Sequence, residues 1–299
     1  MSEHTVKKHR RKWEGTEIFS VIVLTILAFL VIIPFWNALV ISLETSAAYG
    51  QHPFSWLPGE WTLENYRYLF QSSNALVMGY KGTLIVTSIG TVVGMSVSVM
   101  AAYAFSRRFP GKKVLFGIMV FTMFFGGGLI PIYLQLKRMN LLNTYSAIIL
   151  LSLISVYNII IMKNGFDSIP PDLEEAAKID GANDFVIFLR VMLPLQKPLI
   201  ATFSLFTAVA YWNSWYWPLI TFSGSQKTVL QLYLRGMISA ISSAENGGQM
   251  TAAGAASVSS FSQGIKMSSV FMTMLPIMCV YPFLQKYFVK GILVGAVKM

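Results

Sequence analysis

Apolar residues in this chain come in long uninterrupted runs rather than in alternation with polar ones. Six stretches contain no Asp, Glu, Lys or Arg: residues 18–43, 82–106, 114–136, 139–162, 198–226 and 267–285. A helix needs about 20 mostly apolar residues to cross a bilayer. The pattern therefore predicts an all-α, polytopic membrane protein with six transmembrane helices packed as one bundle. It also divides the chain into a tail (1–17), a first spanning helix (18–43), an outer loop (44–80), a five-helix core (81–290) and a second tail (291–299). Residues 251–264, rich in Ala, Ser and Gly, are too weakly apolar for a span and are expected at the outer surface.

Local signals refine the spans. Gly90 and Gly94 form a small-xxx-small pair, which lets two backbones approach. Gly126, Gly127 and Gly128, followed by Pro131, weaken the third span and predict a bend or a close packing point. The basic start, MSEHTVKKHRRKWEG, resembles a signal peptide, but the apolar run behind it is too long and no small-residue cleavage site closes it. A retained first helix is expected. No internal repeat is evident.

Composition agrees with lipid. Of 299 residues 55% are hydrophobic and only 12% charged, about half the charge of a soluble domain. The net charge is +10, and its placement matters more than its size. With the N-terminus inside, the inner segments hold sixteen Lys and Arg and the outer ones six. The positive-inside rule then puts both termini in the cytoplasm. Basic residues that flank helices at one face form no continuous patch, which argues against nucleic acid. The one cysteine, Cys279, allows no internal disulfide.

Candidate chemistry concentrates in the inner segment 163–197, KNGFDSIPPDLEEAAKIDGANDFVIFLRVMLPLQK, which holds six of the 13 acidic residues. Pro170 and Pro171 suit the start of a helix, and Asp172, Glu174 and Glu175 load its first turn with the negative charge that the helix dipole favours. Gly181 is a plausible left-handed stop, Asn183 can cap a second short helix, and Pro194 and Pro198 are expected to end it. Two small, partly apolar helices at the inner face suit a groove on another protein, or equally an amphipathic anchor on the membrane surface.

The string EEAAKIDGANDFVIFLRVMLPLQKP resembles the EAA loop of bacterial ATP-binding-cassette (ABC) importer permeases, with Glu175, Ala176, Ala177, Asp180, Gly181, Ala182, Leu193 and Pro194 in register. The likeness extends to YWNSWYWPL and KGILVGAVK, covers the chain from about Tyr80 onward, and is nearest to the oligosaccharide branch of the carbohydrate-uptake group. Met299 stands where a glycine is usual. The resemblance implies a type-1 permease fold. It implies docking of a separate ATPase on Glu174, Glu175, Ala176, Ala177, Asp180, Gly181, Ala182 and Pro194. It also implies a second permease subunit, an extracytoplasmic binding protein docking on 44–80 and 223–266, and a multi-pass place in the inner membrane. ATP would bind the partner ATPase, and this chain would hold no cofactor.

The remaining residues fit that picture. No G-x-x-x-x-G-K-[ST] loop is present, so no Walker A site for ATP. No ionisable acid or base lies in the spans, which weakens an ion-coupled carrier working without an ATPase, the alternative reading. No catalytic set or metal cluster is evident. Tyr211, Trp212, Asn213 and Tyr216 are candidates for a sugar path, because aromatic faces stack on sugar rings and an amide can bind a hydroxyl. Trp215 and Trp217 read more simply as an interfacial belt.

Overall fold

A computed structural model describes residues 15–71, 74–223, 227–247 and 263–279. It is helical throughout, and among the described residues the only strand-like feature is a single antiparallel bridge between Glu44 and Trp61. In chain order the helices are α1 (Gly15–Ser42), α2 (Ser46–Gln51), α3 (Glu64–Gln71), α4 (Ala75–Ser106), α5 (Lys112–Phe124), α6 (Leu129–Arg138), α7 (Tyr145–Leu151), α8 (Val156–Asp167), α9 (Asp172–Ile179), α10 (Asp184–Ile187), α11 (Leu193–Leu195), α12 (Lys197–Trp212), α13 (Tyr216–Thr221), α14 (Leu230–Gly247) and α15 (263–279).

Among the described residues two helices, α1 and α4, are long and apolar enough to cross a membrane unbroken. Three bent helix pairs are long and apolar enough only when taken together, as a broken span or a re-entrant loop: α5 with α6 at 114°, α7 with α8 at 53°, and the segment 184–195 with α12 at 79°. The sixth expected span, 267–285, is helical through residue 279, and its remainder lies outside the described residues, as do 248–262 and the tail 291–299. The glycines of 114–136 predict a bend or a packing point there, and 139–162 is expected as one span; both stretches are broken. At 125–128 the helix ladder stops, and Gly128 takes φ +80°, which a side chain resists. A Cβ on Gly126 or Gly128 would meet nothing within 4 Å, so these glycines serve a bend and not a packing point.

The described chain separates into two compact units. One comprises 15–68, 245–247 and 263–271. Here α1 exposes most of its apolar side chains as far as Trp36, as lipid contact requires, and buries Val40 and Ile41 at its end. The loop behind it is ordered by polar straps. Buried Asn65 donates through Nδ2 to the carbonyls of Ser42 (3.1 Å) and Glu44 (3.2 Å). Glu44 Oε1 accepts from the Gly59 amide at 2.9 Å, and Trp36 Nε1 donates to the Trp56 carbonyl at 2.8 Å. Burial pushes the Tyr66 phenol above its ordinary range, against the opposing pull of its hydrogen bond with Ser42.

The other unit comprises 69–71, 74–223, 227–244 and 272–279, and α4 is its axis. The glycine pair works as expected. A Cβ on Gly90 would sit 2.6 Å from the Tyr211 ring, and one on Gly94 would sit 2.7 Å from the Leu153 carbonyl in the α7–α8 break. Helix α12 and the broken α7–α8 span thus press directly on the α4 backbone. Tyr211 Oη donates to the Ile149 carbonyl at 2.9 Å, and Trp212 Nε1 to the Thr273 carbonyl at 3.2 Å. Toward the C-terminal end of α4, Met95, Val99, Ala102, Ile159, Met162, Phe166, Ile187, Phe188, Met192 and Phe203 form one buried cluster.

Candidate functional site

That buried cluster is the seat of the 163–197 segment. Helix α9 begins after Pro171 with three carboxylates in its first turn and ends at Asp180. Gly181 follows at φ +80°. Its amide donates to the Lys178 carbonyl (3.0 Å) and the Ala182 amide to the Ala177 carbonyl (3.0 Å). This pair of bonds is a complete Schellman turn. Asn183 Oδ1 then accepts from the Val186 amide at 2.9 Å and opens α10. Stop, turn and restart fall at residues legible in the sequence: Gly181 for the main-chain turn and Asn183 for the side-chain cap.

Burial sorts the residues into two faces. Ala177 and Ala182 pack against the cluster, while Glu175, Ala176, Asp180 and Gly181 face outward. Ile179 is 87% exposed and Phe185 66%, two large apolar side chains on an otherwise ordered knob. Glu174 turns inward, with its side chain only 12% exposed, and forms ion pairs with Arg107 at the end of α4 and with Lys178 at 2.9 Å. The hydrogen bond that Lys178 donates to the Glu174 carboxylate raises the Lys178 pKa above its ordinary value. Arg107 lies over the Tyr103 ring, 4.5 Å from its centroid. The knob is thus bolted to α4 by charge and to the cluster by its alanines. Sequence reasoning did not find Arg107; an arginine closing a long apolar helix opposite an acidic loop was the available signal.

Pro194 does not end the second helix as expected. Residues 188–192 form a π-turn in which the Leu193 amide reaches the Phe188 carbonyl five residues back. A proline in an α-ladder leaves a carbonyl unpaired and crowds it, and the wider turn takes up that misfit. The helix runs through exposed Pro194 to Leu195, and the chain turns 79° at Gln196 into α12. Gln196 Nε2 donates to the Gly165 carbonyl at 2.6 Å, tying this elbow to the end of α8.

The path candidates separate at the other end of α12. Tyr211 and Trp212 are buried, 3% and 7% exposed, and hold the bundle together. Asn213 and Tyr216 are exposed; Asn213 Oδ1 accepts from Gln231 Nε2 at 3.2 Å. Beside them the Arg235 guanidinium lies over Trp215, 3.8 Å from its ring centroid. Among the described residues no group of three or more His, Cys, Asp or Glu could hold a metal.

Residues 90–294 match the family model described as the binding-protein-dependent transport system inner membrane component. The chain belongs to this family. It is the membrane-spanning permease of an ABC importer and not an enzyme. It is 40% identical over 276 residues to the polygalacturonan/rhamnogalacturonan transport system permease protein YtcP of Bacillus subtilis, covering 92% of this chain and 95% of that one. It is 41% identical to protein LplC of the same organism, covering 89% of each. Among solved structures, the permease is similar to a chain of a bacterial ABC transporter involved in import of the acidic polysaccharide alginate. That likeness has 29% identity and a TM-score of 0.80, over 93% of this chain and 99% of the other. The all-α membrane protein expected from the apolar runs, and the importer-permease fold implied by the resemblance of the 163–197 segment, are the ones found.

Proposed function

We propose that this permease forms, with a second permease, the membrane path for an oligosaccharide. An extracytoplasmic binding protein delivers the solute, and a separate ATPase docked on the 163–197 knob drives its passage. The observation that carries this reading is the knob itself. Its inner side is used by Ala177, Ala182 and Glu174, and its outer side offers Glu175, Ala176, Asp180, Gly181 and the exposed Ile179 and Phe185 to a partner. An ordered turn that leaves an isoleucine bare is built for a groove on another protein. Glu174 acts from within, by fixing the knob, and Pro194 acts through the elbow.

The knob and both termini face the cytoplasm in this reading, as the charge bias requires. ATP belongs to the partner, and this chain supplies no cofactor. Carbohydrate is supported by the names of the relatives, which transport polygalacturonan, rhamnogalacturonan and alginate. Tyr211 and Trp212 hold the wall of the path, and Asn213 and Tyr216 face into it. The test is co-purification from mild detergent followed by reconstitution. The native chain should bring an ATPase and a second permease, and Ile179→Asp should lose the ATPase alone. A chain that purifies alone and imports sugar without ATP would overturn the reading.

A further inference from the structure

The corner where α12 ends holds a cation, Arg235, that takes part in no ion pair among the described residues. Helix α14 starts at Leu230, whose amide donates to Thr83 Oγ1 at 2.8 Å, so its first turns are anchored to α4. Gln231 and Arg235 stand four residues apart and therefore share a face of α14. Opposite them are Asn213 and Trp215, in the non-helical link between α12 and α13. Two contacts join the sides: Gln231 Nε2 to Asn213 Oδ1 at 3.2 Å, and the Arg235 guanidinium 3.8 Å from the Trp215 centroid. The Tyr216 ring stands edge-on to Trp215, with centroids 5.9 Å apart.

A guanidinium lying on an indole uses its face and leaves its N–H edge free. Arg235 is exposed and, among the described residues, takes part in no ion pair. From Leu69 to Ala244 every Asp and Glu lies within 167–184, on the knob at the other end of α12. The 16 residues of that helix put the knob about 24 Å away. Glu245 is ten residues further along α14, about 15 Å up its axis. The free edge of Arg235 matches the geometry of a carboxylate, which accepts two parallel hydrogen bonds. The Asn213 Nδ2 donor and the half-exposed rings of Trp215 and Tyr216 add the hydroxyl and ring-face recognition of a sugar. A neutral sugar needs only the amides and rings; the unpaired cation calls for an acid.

We infer that Arg235 on Trp215, with the Gln231–Asn213 amide pair beside it, is a subsite for the carboxylate of a uronic-acid residue in the transported oligosaccharide. This rests on the importer reading above, and it adds the chemical class of the cargo and the residues that sense its charge. A phosphate of an anionic lipid headgroup has similar chemistry, so the test separates the two.

The assembled importer, with its ATPase and binding protein, is reconstituted in vesicles of phosphatidylcholine alone. ATP-driven uptake of trigalacturonate and of its neutral methyl ester is measured. Arg235→Gln should lower trigalacturonate uptake about tenfold, the loss of about 1.4 kcal/mol, and leave the ester within about twofold. Arg235→Lys should fall between, since it keeps the charge without the fork. An equal fall for both sugars, or for neither, overturns the subsite. So does an effect that appears only when anionic lipid is added, which would assign the cation to a headgroup. Wild-type uptake of the ester without the acid overturns the inference while the importer reading stands. No uptake of either sugar by the wild type overturns the inference, and ATP-independent uptake removes the importer reading itself.

Discussion

Single residues carry unequal shares of the knob. Gly181 holds a left-handed backbone angle, and a Cβ there would meet no neighbour within 4 Å. Its constraint is therefore conformational alone. Gly181→Ala should cost about 1 kcal/mol at that turn and leave most transport. Gly181→Asp adds a charge on the outward face, and should leave insertion intact while transport is lost; membrane fractionation beside vesicle uptake reads both. Glu174 works the other way, from inside. Glu174→Gln should insert normally but lower ATP-coupled transport several-fold, because Arg107 then lacks its counter-charge. The swapped pair Arg107→Glu with Glu174→Arg should recover part of the rate. A double mutant no better than either single change would deny the ion pair its coupling role.

At the scale of elements, α4 is the part of the fold most legible in the sequence. Its apolar run and its Gly90–Gly94 pair were both readable, although the helix starts at Ala75, seven residues before the run suggested. The knob was equally legible, because caps and turns are local: Pro171, Gly181 and Asn183 each act within a few residues. Breaks were harder. The 53° bend between α7 and α8 falls in an apolar stretch with neither Gly nor Pro at the break, and Gly94 on another helix is what receives its carbonyl. Such a partner is distant in sequence, so no window of residues reveals it. Gly94→Val should lower the thermal midpoint of the detergent-extracted permease, at a cost of about 1–3 kcal/mol, since the oxygen it meets is backbone and cannot swing aside. Gly126→Ala, with open space around it and no positive φ, should leave the midpoint unchanged.

For the whole molecule, charge sets the polarity of the bundle. Acidic side chains of the α4 unit gather at one end of α12 and the stacked Arg235 stands at the other. The two ends should face opposite sides of the membrane. In a Cys279→Ser background, Ile179→Cys should react with an impermeant thiol reagent only in inside-out vesicles, and Ser239→Cys only in right-side-out ones. Labelling of both from one side would contradict the topology. The position of Arg235 was visible in the sequence, but its seat on Trp215 was not. Its 20-residue separation hides a contact that only the corner between α12 and α13 creates.

The 114° bend after α5 bears on where water stands. Thirteen residues rise about 20 Å, short of the roughly 30 Å of hydrocarbon in a bilayer. The amides of Gly126, Gly127 and Gly128 and the carbonyls of Gly126 and Gly127 lie outside any helix ladder, and the hydrocarbon of a bilayer would offer them no partner. Such groups persist in a membrane only against protein or beside a water-filled cavity. The third span therefore marks a wet or protein-covered notch in the side of the bundle. A solute entering there has a thinner dielectric barrier left to cross than the bilayer around it presents.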